Sequence, residues 1–383
     1  MKILIAGSDF NAQILAEYLK IKSDKNEVYI SAETAPEGCI PVNIKENDIN
    51  ALCSFVKYNQ IELTVVSSAL AVINGIADEF NKEGFPAAAP FSEAARITFF
   101  NSTAKKVMYK LKINTPRFGI FDRENIAADY IKRARFPIAV MNDFTLNERK
   151  YSVYKSRSSA LTALKKIFEN SLDKVVIENY TAETPVYMYF LTDGYSAVHL
   201  ISLERQEEEN FVKLTAPSGR ISRIMRDNIL KRAVLPVLHD TAEYAGLYSG
   251  ILGLKVIIRD NSFYVLEFYN EFQSFDLTVF LSLLNEDLAE LFYAASSKQL
   301  SGRSSAFLDD KFSYSAAIKR DALLLEASDD GLFITENDKN VIITKTAASM
   351  NYAKKHIEEY LETVCAGEIF EDIKEKTREE LKV

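Results

Sequence analysis

Residues 248–276, YSGILGLKVIIRDNSFYVLEFYNEFQSFD, read as strand, turn, strand, loop. The segment 254–258 is an apolar run with β-branched residues, Asp260-Asn261 is turn chemistry, and 263–268 is a second apolar run. That second run carries one carboxylate near its end, Glu267. A charge closing a buried strand needs a partner, because leaving it alone in an apolar surrounding is costly. Two readings stand at this point: a carboxylate paired with water, Lys or Arg, or a ligand for a divalent cation over a nucleotide.

Outward from this hairpin, the chain alternates strands and helices. Residues 2–6 (KILIA), 27–31 and 62–67 are predicted strands, separated by helical patterns through Ile14, Leu15, Tyr18 and Leu19 and over 49–58. A third helix is predicted over 73–83. This alternation predicts a parallel sheet covered by helices on both faces, with ligands at the carboxyl ends of its strands. The first strand-to-helix loop, GSDFN, holds one glycine where a dinucleotide fingerprint needs three. Further strands are predicted at 136–141, 151–154, 175–178 and 185–192, and helices at 102–112, 158–170 and 227–244, the last kinked by Pro236. The run ERQEEEN, 204–210, reads as a solvated loop. A helical stretch at 277–298 and a loose linker at 299–311 precede strands near 313–319 and 340–345 and a helix at 349–362.

With 383 residues the chain is long enough for two or three domains. A net charge of -8 gives no basic face for nucleic acid, and no apolar run reaches the roughly 20 residues needed to cross a bilayer. MKILIAGSDF reads as a buried strand rather than a signal peptide. Cys39, Cys53 and Cys365 are too few and too scattered for a disulfide framework or a zinc motif, so a reducing compartment, the cytoplasm, is expected. His199, His239 and His356 form no triad pattern.

Several strings, in this order, resemble the ATP-grasp ligases, and among them the glycinamide ribonucleotide synthetase (phosphoribosylamine–glycine ligase) family. They are IELTVVSSALAVINGIADEF at 61–80, INTP at 113–116, VVIENY at 175–180, LPVL at 235–238, YSGIL at 248–252, VLEF at 265–268 and Asp372-Ile373. The resemblance implies an α/β and α+β chain: an N-terminal parallel α/β domain over 1–100, an ATP-grasp domain over 101–300 with a small lid at about 115–180, and an α+β C-terminal domain over 301–383. It implies ATP and Mg²⁺ as cofactors and amide formation through an acyl phosphate. Carried over residue by residue, it assigns the metal to Glu267 and the nucleotide to Asp143 and to the hinge at Val176, Ile177 and Glu178. The residues alone allow blander roles: Asp143 as a cap and Glu178 as a strand end.

Much of the family's phosphate machinery is replaced. The metal asparagine is Tyr269, on the same strand face as Glu267. A phosphate-binding arginine becomes Glu271, and the two phosphate lysines become Asn101 and Met141. Lys105, Lys106, Arg149 and Lys150 lie nearby and are expected to be solvated. The glycine-rich flap is FTLNERK at 144–150, and a second loop at 210–215 also lacks glycine. Without glycine, backbone N–H groups cannot approach a phosphate closely. In the first domain the phosphoribosylamine loop is Asp9-Phe10-Asn11-Ala12, and the Gly-Pro-Glu loop is Ser67-Ser68-Ala69. The expectation is a ligase-deficient paralogue, its cleft stripped of cations, that binds a small molecule or a protein partner. The alternative is an active ATP-dependent carboxylate–amine ligase with cations resupplied by Lys105, Arg149 or Lys150, and a weaker third is a subunit pairing with an active homologue.

Overall fold

The computed structural model describes residues 1–146, 152–170, 174–207, 211–273, 275–303, 311–319, 332–336 and 340–364. The first unit holds β1 (Lys2–Ala6), α1 (Phe10–Lys22), β2 (Glu27–Ile30), β3 (Ile40–Pro41), α2 (Ile49–Asn59), β4 (Leu63–Val66), α3 (Ala69–Ile73), α4 (Ile76–Glu83) and β5 (Ala87–Ala88). Its strands run parallel in the order β3-β2-β1-β4-β5. Ile3, Leu4, Ile5 and Ala6 are all buried, as strands covered on both faces must be. The Asp9 carboxylate caps α1, accepting from the Ala12 N–H at 2.9 Å. The single helix expected over 73–83 is two, because Gly75 at φ 83° breaks it.

Next come α5 (Ser92–Phe99) and α6 (Asn101–Lys110), then the lid: β6 (Phe118–Phe121), α7 (Glu124–Arg133), β7 (Ile138–Asn142), β8 (Ser152–Tyr154), α8 (Arg157–Asn170) and β9 (Val175–Asn179). The antiparallel order is β6-β9-β7-β8. The pair β6 and α7 has no counterpart in the sequence reading. The lid helices pack on Val175, Ile177, Ile138 and Val140, so alternation turns Val176, Glu178, Ala139 and Met141 to the opposite face.

The central sheet runs β14-β13-β10-β11-β12-β15-β17-β16. It is built from β10 (Val186–Asp193), β11 (Ala197–Glu207), β12 (Phe211–Ala216), β13 (Ser249–Arg259), β14 (Ser262–Tyr269), β15 (Phe312–Lys319), β16 (Phe333–Glu336) and β17 (Asn340–Ala347). Strands β13 and β14 form the expected hairpin, with Asp260 and Asn261 both at positive φ in its two-residue turn. The solvated loop expected at 204–210 is overturned for its described part. Residues 204–207 finish β11, and Arg205 is buried because it pairs with Asp276 at 2.7 Å. Helix α9 (Arg223–Ile229) passes through a π-helical turn at Leu230–Val234 into α10 (Leu235–Tyr244). The irregularity thus precedes Pro236, which sits in the first turn of α10, where its missing N–H is harmless. The stretch 277–298 is again two helices, α11 (Asp276–Leu283) and α12 (Leu288–Ser296).

Strand β15 pairs with β12, so the C-terminal strands extend the central sheet, with α13 (Met350–Val364) packed on them. The resemblance at Asp372-Ile373, the positions Arg149 and Lys150, and Cys365 lie outside the described residues. Gly250 fixes the first unit against the central sheet: at φ 95°, a Cβ there would sit 3.0 Å from the Ala88 carbonyl oxygen.

Candidate functional site

The cleft expected to hold nucleotide lies between the lid's Glu178 face and the β13–β14 face of the central sheet. On the sheet, Glu267 stands directly opposite Lys255, and Lys255 directly opposite Tyr187 on β10. One step along, Tyr269, Gly253 and Tyr189 form the neighbouring row. Gly253 leaves that row open: a Cβ there would lie 2.8 Å from the Tyr189 ring.

Lys105 closes the cleft from below. Far from being solvated, it is 1% exposed. Its ammonium lies 2.6 Å from Glu178 Oε2 and donates to Thr115 Oγ1 at 2.9 Å and the Leu266 carbonyl at 3.1 Å. The Glu178 contact is one of charge more than of direction, since that oxygen lacks a well-aligned hydrogen bond. Burial pushes the Glu178 carboxyl up, Lys105 pulls it back down, and Glu267 and Lys255 act on it from the sheet. Glu178 and Glu267 are therefore brought together, as the resemblance implied, but across the protein's own cations.

Glu267 is 3% exposed. Its Oε2 accepts from the Tyr269 hydroxyl at 2.6 Å. The residue standing where the family has its second metal ligand is thus a donor to the first. Burial and the Glu267 charge hold the Tyr269 phenol well above its usual range, so it keeps that proton. Among the described residues no group of three or more His, Cys, Asp and Glu side chains is placed to hold a metal ion. The donor set does not fit Mg²⁺, which requires open carboxylate oxygens and near-octahedral geometry.

The hinge assignment also meets an obstacle. Strand β9 is hydrogen-bonded to β6 on one side and β7 on the other through Val176, Ile177 and Glu178. Their backbone groups are spent in the sheet, so adenine finds no free edge there, and Ile177 faces the lid helices rather than the cleft. Asp143 takes its blander role. Its two carboxylate oxygens accept from the Ser102 N–H at 2.7 Å and the Ser102 hydroxyl at 2.8 Å, capping α6. The expectation of a cleft stripped of cations is corrected as well: Lys105, Lys255 and Arg205 are all buried. What the region lacks is cations left uncommitted. Arg205 bonds Asp276 Oδ1 at 2.7 Å and the Gln273 carbonyl at 2.9 Å, while Tyr189 donates to Asp276 Oδ2 at 2.5 Å.

Residues 1–98 match the phosphoribosylglycinamide synthetase N domain, and residues 101–276 match the ATP-grasp (A) domain of the same synthetase. The chain belongs to the phosphoribosylglycinamide synthetase family. Among relatives of this synthetase family, the phosphoribosylamine–glycine ligase of Caldanaerobacter subterraneus subsp. tengcongensis is 25% identical over 310 residues, 77% of this chain and 74% of that one. That of Brucella melitensis biotype 1 is 23% identical over 404 residues, 95% of each chain. The solved phosphoribosylamine–glycine ligase of Thermotoga maritima superposes with a TM-score of 0.74 at 16% identity, covering 95% of this chain and 97% of that one. A biotin carboxylase from Campylobacter jejuni superposes at 0.70 and 12% identity, which marks the shared ATP-grasp fold.

Proposed function

We propose that this member of the synthetase family has lost the ligase reaction and acts as a binding or regulatory paralogue in the cytoplasm. One observation carries the reading: the Tyr269 hydroxyl satisfies the lone metal carboxylate, Glu267, at 2.6 Å. The surroundings of Lys105 support it, because an ammonium with three donors already has three oxygen neighbours. A triphosphate entering here has to break a buried ion pair before gaining anything, and breaking such a pair costs about 3–5 kcal/mol. It then gains no metal, although catalysis of acyl-phosphate formation depends on cations preorganised around the transferring group.

The names of the relatives point to ATP, glycine and phosphoribosylamine as the ligands to offer. The test is ADP release from Mg-ATP with both substrates present. No release above the enzyme-free rate is the expected result. Turnover that Glu267→Ala abolishes would establish the active-ligase alternative instead.

A further inference from the structure

A second crevice, between the first unit and the central sheet, takes no part in the cleft just described. It opens at the carboxyl ends of β1 and β4, where the strand order β3-β2-β1-β4-β5 reverses direction. At such a switch point the loops part and leave room for a ligand. The cavity is about 30 Å³, with apolar walls from Leu15, Val65, Ala88 and Phe272. That is room for one group of about the size of a water molecule.

The polar atoms facing it are acceptors. Asn11 spends its amide N–H on the Phe272 carbonyl at 2.9 Å, which fixes the amide and leaves Oδ1 buried without a partner. Glu271 lines the same cavity, and no hydrogen bond or ion pair joins its carboxyl to any described residue. The Ser67 hydroxyl points its proton at Asp9 Oδ1, 3.3 Å away. No lysine, arginine or histidine lines the cavity. Two more carboxylates face Glu271 from the first unit, Asp9 from the start of α1 and Glu46 from the loop after β3, and both repel it. A buried carboxylate without a counter-charge is costly, and a ligand with positive charge and several donors removes that cost.

We propose that this crevice binds the primary ammonium group of a small amine, through the Glu271 carboxylate and Asn11 Oδ1, and that it rejects phosphate. The proposal rests on the reading of the chain as a binding paralogue and supplies its ligand class. An ammonium carries three donors on a compact head, which suits an acceptor-lined cavity of this size. Burial, Asp9 and Glu46 together push the Glu271 carboxyl up to about 8. Below that pH an entering cation displaces a proton, so affinity rises by about tenfold per pH unit and then levels off.

The test is calorimetry on the full chain with methylammonium chloride, and with sodium phosphate and potassium chloride at matched ionic strength. The expected result is saturable methylammonium binding that strengthens from pH 6 to pH 8, with proton release, and no heat from phosphate. Glu271→Gln, nearly isosteric, weakens it at least about tenfold, the loss expected for one charge-assisted contact. Glu271→Arg abolishes it and brings phosphate binding in its place. Phosphate bound by the unmodified chain, an equal response to potassium, or methylammonium binding indifferent to Glu271→Gln overturns the proposal. No arm contains nucleotide, so failure here leaves the ligase-deficient reading standing, and turnover in the ADP assay leaves this crevice untouched.

Discussion

Glu271→Gln should stabilise the protein, and the size of the gain should depend on pH. Moving a carboxyl from its ordinary 4.5 to about 8 on folding costs about 5 kcal/mol at high pH, at about 1.36 kcal/mol per pH unit. The folded state holds a proton that the unfolded chain releases, so the penalty is absent below pH 4.5. It grows as pH rises and is complete above about 8. At pH 7 it amounts to about 3 kcal/mol, which solvent reaching the partly accessible side chain reduces to about 1–3 kcal/mol. Glutamine keeps the shape and carries no titrating proton. Urea unfolding of both proteins at pH 5, 7 and 8.5 measures the gap directly. Near-equality at pH 5 and a widening advantage for the variant toward pH 8.5 are expected. A gap constant across pH, or a variant less stable at pH 8.5, refutes the reasoning.

Lys105→Met leaves Glu178 buried without its cation and should cost about 3–5 kcal/mol, whereas adding Glu178→Gln should recover most of it; a double-mutant cycle in urea reads the difference. Gly250→Ala should destabilise by more than about 1 kcal/mol, seen as a lower Tm, because the new methyl meets the Ala88 backbone at a positive φ. Burial first, and the Arg226 charge second, lower the His199 imidazole to about 3. Its ring resonances should therefore not titrate between pH 5 and 8 by NMR, and a midpoint near 6.5 would contradict the packing.

The fold was legible in the sequence wherever a single period governed a segment. The hairpin at 248–276 and the parallel strands of the first unit read correctly because buried strands are continuous apolar runs and the Asp260-Asn261 turn has its own chemistry. The misses share a cause. Arg205 lies within a charge run and looked solvated, yet its partner Asp276 is 71 residues away, and no local pattern announces such a pairing. Lys105 sits on a polar helix and is buried only because Glu178 and the Leu266 carbonyl arrive from two other strands. The site was half legible. Tyr269 and Glu271 could be seen as substitutions of a metal ligand and a phosphate ligand. That Tyr269 reaches back to occupy Glu267 follows from their shared strand face. The acceptor-only crevice required the first unit and the central sheet to be brought together in space.

The account stands on a cleft whose cations and metal carboxylate are already engaged by the chain itself. Coupled-enzyme measurement of ADP release, with saturating Mg-ATP, glycine and phosphoribosylamine, addresses that claim most directly. The account predicts a rate equal to the enzyme-free control, for the unmodified chain and for Glu267→Ala alike. Sustained turnover by the unmodified chain, lost in Glu267→Ala, would contradict it.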